Sequence, residues 1–407
     1  MAAQAVYFVL IGRALGSQEY GAFVGVAALI AALSQFSSLG MEMILVRNVS
    51  RDRASFAHTW GQALAIASGG FVLLLIGSML YAHFALRPEL RVLVAWIALA
   101  DGLLGKLIQF AARAFQGAAS LAWTARLTAL TNLARAATAA LVFVWTRTHA
   151  VRATALLWTR VYWLSTLIIA LFALGMITLR LGLPRLSRIR GRDLSEGLSF
   201  SLSGSSISVY NDFDKTMLVS LGQISAAGIY SAAYRVVDAA SAPIYAVYAA
   251  AAPRFFREGA GGVHCAREFS RRTLARTLPY SVAAAVVLAL SASLVPVVFG
   301  SSFRGSVDAL RWLCLLPVLR SLHYAWGSAI TASASQWNRT ATQLGAAALN
   351  LCLNAFLIPR WSWRGAAAAS LLTDGALAAA SFFVLSHLSR REESEAKNLV
   401  FASKSIS

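Results

Sequence analysis

The sequence predicts an all-α polytopic membrane protein of about twelve transmembrane helices in two parallel six-helix lobes. Three observations carry this reading. The 407-residue chain is 58% hydrophobic and only 13% charged, about half the charged share of an ordinary soluble chain. Apolar stretches of about 20 residues, the length that crosses a hydrocarbon core, recur from end to end. Basic residues gather in alternate loops, as they do where chains are threaded through a bilayer.

Taken in order, the first span, 1–15, is short before Arg13 and has no basic lead-in. It reads as a truncated helix and not as a cleavable signal. Spans at 21–45, 60–84, 92–112, 122–145 and 153–178 complete an amino-terminal lobe of 1–179. The basic stretch "RLGLPRLSRIRGRD" opens a linker of 180–197. Spans seven and eight, 198–221 and 227–251, form a tight hairpin around Gly222, and a second basic segment follows at 252–278. Spans at 279–299, 307–331, 340–358 and 365–388 close the carboxy-terminal lobe of 198–388, and a polar tail runs over 389–407.

The formal charge of +19 raises nucleic acid as a partner, but its distribution argues for a membrane. Arg47, Arg51, Arg53, Arg113, Arg339, the linker arginines 180, 185, 188, 190 and 192, and Arg254 to Arg276 all fall on one side, as does the tail. The other side holds only Arg87, Arg91, Arg147, Arg152, Arg304, Arg360 and Arg364. The positive-inside bias therefore places both ends of the chain in the cytoplasm, with the basic loops near anionic headgroups. Cys265, Cys314 and Cys352 give neither a metal spacing nor a disulfide framework, so no metal and no cofactor is expected.

The two halves echo each other. "ALGSQEYGAF" (Ala14–Phe23) returns as "SLGQISAAGIY" (Ser220–Tyr230), with one extra residue between the paired glycines. That offset aligns Arg47 with Arg254, and Asn132 and Asn350 take comparable places in spans five and eleven. An even number of helices per repeat keeps both halves in the same orientation, a parallel duplication found in several transporter folds.

Several stretches carry a family resemblance: "RALGSQEYGAF", "SSLGMEMILVRNVSRD", "NDFDKTMLVSLGQISAAGIYSAAYRVVDAASAPIY" followed by "APRFF", and "LNLCLNAFLIPRWSWRGAAAASLL". Together they resemble the polysaccharide flippases of the multidrug/oligosaccharidyl-lipid/polysaccharide exporter superfamily. The resemblance implies two six-helix lobes around a central cavity that opens alternately to each face of a bacterial inner membrane. It implies movement of undecaprenyl-pyrophosphate-linked glycans for lipopolysaccharide or exopolysaccharide synthesis. The expected partners are the lipid-linked glycan, membrane lipids, a polysaccharide polymerase and other membrane proteins of the pathway.

The residues that raise a functional question are intramembrane charges, each costing about 2.5–3.5 kcal/mol at a helix centre unless a partner or wet cavity receives it. Asp214 and Arg235 lie eight residues from opposite ends of the hairpin turn, about 12 Å deep on adjacent helices, which predicts an ion pair. Asp212 with Lys215, and Arg235 with Asp238, have the i, i+3 spacing of a pair on one helical face. Two readings stand at this point. Either these charges lock spans seven and eight together, or some of them face the cavity and meet substrate or gate the lobes. A pyrophosphate suits guanidinium forks, which makes Arg13 and Arg235 the first cavity candidates. Lys215, Asp214, Asp212 and Asp238 follow, and Arg47 and Arg254 are candidates for receiving the headgroup at the membrane surface. Asp101 with Lys106, Arg126 with Arg135, Asp308 with Arg311, and Arg320 near His323 are expected to satisfy one another between helices or to snorkel. Asp374 stands alone, and the tyrosines 210, 230, 234, 245 and 248 could contact sugar or simply pack.

The alternatives are a lipid II flippase, a drug/cation antiporter of the same superfamily, and a membrane-embedded polymerase or glycosyltransferase. The first span offers Arg13 and no acid, which counts against the antiporter. Outer loops are short and no nucleophile–base pair or phosphate loop is present, which counts against an enzyme.

Overall fold

The computed structural model describes residues 2–149, 151–185, 187, 191–333 and 336–404, and these form helices joined by short turns. Arg188 and Arg190 of the basic linker lie outside the described residues. In chain order the α-helices are α1 (Ala2–Ser37), α2 (Met41–Arg51), α3 (Phe56–Ala85), α4 (Pro88–Ile97) and α5 (Lys106–Gly117). They continue with α6 (Leu121–Thr148), α7 (Ala155–Leu181), α8 (Gly191–Ser220), α9 (Ile224–Ala260) and α10 (Val263–Ser291). The last are α11 (Val295–Phe299), α12 (Ser306–Leu313), α13 (Leu316–Ala332), α14 (Gln336–Trp361) and α15 (Trp363–Lys404). By length and composition, eight helical stretches among the described residues can cross a membrane. Spans one and two are merged in one of these, and α8, α9 and α12–α13 complete the expected set.

Several expected spans are interrupted, each for a local reason. Gly16 takes φ 72°, which only glycine adopts without strain, so α1 turns a corner there between spans one and two. Span two breaks at Leu39 and Gly40, both left-handed, before α2 begins. Between α4 and α5 the backbone winds as a π-helix over Ala98–Gly105, a form that is rare and concentrated at functional sites. Span ten divides into α12 and α13, whose first turn receives Pro317, a position where the missing N–H costs nothing. Pro243 and Pro253 both lie inside α9, where each removes a backbone hydrogen bond.

Chain contacts divide the molecule into two compact units. One comprises residues 1–232 with 295–305, and the other 233–294 with 306–407. In the first, an apolar core gathers Ile44, Leu45, Trp60, Phe110, Phe115 and Ile177 from α2, α3, α5 and α7. In the second, Ile244, Phe255, Phe269, Ala325 and Leu385 pack α9, α10, α13 and α15 together.

The first unit extends to residue 232 because α8 lies antiparallel along α1. A Cβ on Gly21 would fall on the carbonyl oxygen of Ile224 and come within 2.8 Å of the Gly228 nitrogen. A Cβ on Gly228 would in turn fall on the carbonyl oxygen of Ser17. Further along, Gly25 faces Val219 and the Lys215 carbonyl. Thr216 Oγ1 donates to the Gly25 carbonyl at 2.8 Å and Ser205 Oγ to that of Ala32 at 3.2 Å. Small residues that bring backbones together, with hydroxyls bonding across, are how helices associate in lipid, where no hydrophobic force separates helix from solvent.

Gly228→Leu is therefore expected to force the α1 and α9 backbones apart at a cost of about 3 kcal/mol or more. Gly175→Leu is the control, since nothing lies within 4 Å of a Cβ there. Thermal unfolding of the detergent-solubilised protein should show a lowered midpoint for Gly228→Leu alone.

Candidate functional site

The densest charge in α8 comes from Asp212, Asp214 and Lys215, one helical turn in which the chain buries two ionisable groups and partly buries a third. Lys215 is the hub. Its ammonium donates to Asp212 Oδ1 at 2.9 Å, to the Asn211 carbonyl at 2.7 Å and to Asp214 Oδ1 at 3.4 Å. It also sits 5.7 Å from the centroid of the Tyr230 ring. The Lys215 side chain is 1% exposed and that of Asp214 0%, whereas Asp212 keeps 31%. The other oxygen of Asp214 accepts from Tyr230 Oη on α9 at 2.5 Å. The i, i+3 pairing of Asp212 with Lys215 is present as expected, but the expected Asp214–Arg235 pair is not made. Asp214 is taken up by Tyr230 and Lys215, because a phenol one turn nearer the hairpin reaches it first.

Arg235 pairs instead with Asp238, its own i, i+3 neighbour, at 3.4 Å. Asp238 is shared: Arg320 on α13 donates to its other oxygen at 2.9 Å and to Tyr234 Oη at 3.0 Å. Arg320 is buried, while Arg235 retains 29% exposure. Two guanidinium groups thus share one carboxylate, with Arg235 at the partly exposed edge, and the charge of Asp374 also reaches Arg320. Nearby in the same unit, His323 Nε2 lies 3.4 Å from Asp374 Oδ1, so Asp374 is not alone.

The remaining candidates are dispersed. Arg13 donates from Nε to the Val298 carbonyl at 2.6 Å and from Nη2 to that of Val297. It thereby caps the carboxy-terminal carbonyls of α11, a favourable place for a cation. Arg47 donates to Asn48 Oδ1 at 3.1 Å on α2. Arg254 pairs with Glu258 at 3.6 Å and stacks over Phe269 at 4.8 Å, largely exposed. The structure thus brings together Asp212, Asp214 and Lys215 in one cluster and Arg235 with Asp238 in another, while Arg13, Arg47 and Arg254 each have partners of their own.

Other expected pairings are rearranged. Lys106 does not pair with Asp101 but with buried Glu42 at 2.9 Å, an acid that in turn accepts from Ser38. Asp101 joins Arg135 at 3.4 Å and Tyr162 Oη at 2.5 Å. Arg126 stacks on Trp123 at 5.0 Å, and Asp308 and Arg311 form an exposed pair at 3.7 Å. Sequence reasoning missed Tyr230, Arg320 and Glu42 as partners. Only Tyr230 carried a local signal, since it stands just past the hairpin turn on the helix that returns alongside α8.

Removing one member of a buried ion pair costs about 3–5 kcal/mol, because the other charge is left uncompensated. Lys215→Met is expected to reduce the folded protein recovered from membranes and lower its unfolding temperature. The triple variant that adds Asp212→Asn and Asp214→Asn should recover most of the loss. Size-exclusion yield and melting of the two variants check this.

Comparison with known proteins follows the same lines. A family model described as polysaccharide biosynthesis protein matches residues 1–258. No curated protein matches the chain. Among solved structures, the chain is similar to an inward-facing multidrug resistance MATE transporter of the MOP superfamily, with TM-score 0.75 and 16% identity over 96% of this chain and 95% of the other. It is similar to the lipid II flippase MurJ in an inward closed conformation, with TM-score 0.70 and 10% identity over 95% and 86%. A MOP superfamily transporter from Pyrococcus furiosus, described as having a binding pocket of reversed polarity, aligns with TM-score 0.62 and 14% identity over 96% and 93%. At these identities the likeness shows the fold, and that fold is one of multi-pass membrane transporters. The chain belongs to the polysaccharide biosynthesis protein family, built on the MOP transporter fold.

Proposed function

We propose that this protein translocates an undecaprenyl-pyrophosphate-linked oligosaccharide across a bacterial inner membrane by alternating access, for surface polysaccharide synthesis, with both termini cytoplasmic. The observation that carries the substrate class is the kind of cation in each cluster and its exposure. The α8 cluster closes a fully buried ammonium between two carboxylates and serves to hold α8 to the start of α9. The Arg235–Asp238–Arg320 cluster is built on guanidinium groups, and Arg235, 29% exposed, brings the group that suits phosphate oxygens. Arg235 is thus the substrate contact, Arg320 and Tyr234 its support, and Asp238 the group that orients both guanidinium planes.

An arginine as the proposed contact disfavours the organic cations that a multidrug exporter carries. The likeness to MurJ keeps a second cargo in view, because lipid II shares the polyprenyl pyrophosphate and differs in its glycan. The family match to polysaccharide biosynthesis proteins favours the polysaccharide unit. The lipid tail would remain in the bilayer while the headgroup passes. The partners proposed are the lipid-linked glycan, the surrounding lipids and a polymerase that consumes the flipped unit; nucleic acid is not among them.

Deletion in the native host is expected to accumulate lipid-linked oligosaccharide that an impermeant glycan-modifying reagent cannot reach, with loss of surface polymer. Arg235→Ala should cut surface polymer about tenfold or more while membrane protein level stays constant, and Arg235→Lys should restore part of it. Lipid-linked glycan that is fully accessible outside the cell, with polymerisation halted, would overturn the flippase reading. If instead peptidoglycan precursors accumulate, the lipid II reading holds.

A further inference from the structure

The first unit contains a cavity that no part of the reading above uses. It opens between α5 and α6, has a volume of about 460 Å³, and is lined by Gly105, Gln109, Arg113, Thr128, Asn132 and Arg135, among others. That volume falls in the range of about 300–1,000 Å³ typical of small-molecule sites. From Thr124 to Arg135 it follows eleven residues of α6, about 16 Å of helix.

Its chemistry is ordered along that length. At the end nearest the α5–α6 turn stands Arg113, whose only side-chain partner among the described residues is Gln116, at 2.8 Å. Arg126 and Arg180 stack on Trp123 beside it, at 5.0 and 4.5 Å, making that end basic. Along the middle lie the hydroxyls of Thr124, Thr128 and Thr131. Each donates to a backbone carbonyl and keeps its oxygen lone pairs free to accept. The carboxamides of Gln109 and Asn132 line the same stretch. At the far end stands Arg135, held by Tyr162 and Asp101. No carboxylate belongs to the lining itself. The opposing wall includes Gly105, the last residue of the π-helix that interrupts the fourth span.

A polar groove of this kind within a membrane-spanning helix pair is costly unless water or a ligand satisfies it. A cation at one end, followed by a run of acceptors and carboxamides, matches a phosphate ester followed by hydroxyl groups. We propose that this cavity binds a glycosyl phosphate, with Arg113 on the phosphate and Gln109, Asn132 and the threonines on sugar hydroxyls. Its lining shares no residue with the Arg235 cluster, and the proposal rests on the flippase reading only for which phosphate ester reaches the cavity in the cell.

The test uses the full chain in nanodiscs of phosphatidylcholine and measures binding directly, with glucose 1-phosphate, inorganic phosphate and glucose as probes. Glucose 1-phosphate is expected to bind about tenfold or more tightly than either of the others. Arg113→Gln should weaken it about tenfold, and Asn132→Leu should bring it down to the affinity of inorganic phosphate. Melting temperatures confirm that both variants are folded. Equal affinity for glucose 1-phosphate and inorganic phosphate would reduce the cavity to a bare anion site and overturn the proposal. Displacement of the probe when phosphatidylglycerol is added to the nanodisc would make it a lipid headgroup groove, with the same consequence. Unchanged affinity in Arg113→Gln would also overturn it. Should glucose 1-phosphate fail to bind while Arg235→Ala still stops export, only this proposal falls. Binding that persists while the export phenotype is absent removes the flippase reading alone.

Discussion

The backbone contact of Gly21 with Ile224 and of Gly228 with Ser17 is the constraint on which the first unit depends. It is reciprocal. Each glycine lies five or six residues past another glycine of positive φ, Gly16 or Gly222, that turns the chain. The repeated pair of glycines therefore performs the same two tasks in both copies: the first reverses the chain, and the second admits the other copy's carbonyl. Everything deeper along α1 and α8 inherits this spacing, including Gly25 against Val219 and the hydroxyl bonds of Thr216 and Ser205. With larger residues at the crossing, the Lys215 cluster would lose the packing that excludes water from it.

That exclusion of water decides how the intramembrane charges behave. Buried Lys215, Asp214, Glu42 and Lys106 are each met at hydrogen-bond distance by an opposite charge, and tyrosine or serine hydroxyls add to the acids. Such sites gain little net stability, because desolvation offsets most of the attraction. What they do is penalise any arrangement that separates the partners. Arg235 and Arg135 differ from these in that each keeps 29% of its side chain exposed. Partial exposure is the physical distinction between a structural charge and one that a ligand can reach.

Much of the fold was legible in the sequence, because membrane crossing is a requirement on composition and length that hardly depends on tertiary detail. The role of the paired glycines was legible too, since glycines at a corner and a crossing cannot be replaced without strain or clash. The breaks were less so: Leu39 adopts a left-handed conformation that its residue type does not announce, and the π-helix at Ala98–Gly105 has no local sequence mark. For the candidate site, local pairs were readable and distant ones were not. Asp212–Lys215 and Arg235–Asp238 follow from i, i+3 spacing on one helix. Glu42–Lys106 and Asp238–Arg320 join residues far apart in the chain, brought together by helix packing that spacing cannot encode. The Asp214–Arg235 expectation failed for the same reason, since equal depth on adjacent helices says nothing of which face each side chain takes.

The open polar groove stands out when the two asparagines that the sequence aligns are set side by side. Asn132 in α6 and Asn350 in α14 have different surroundings. Asn350 is fully buried, donates to Thr373 at 3.2 Å and accepts from Asn354 at 2.8 Å, so its amide is consumed in packing α14 against α15. Asn132 lines the cavity beside α5, where its neighbours along the helix are threonines and an arginine. A buried asparagine with both ends bonded fixes a helix pair; the same residue beside open space presents a donor and an acceptor to whatever enters. Polar residues in such an open place persist only where something polar meets them.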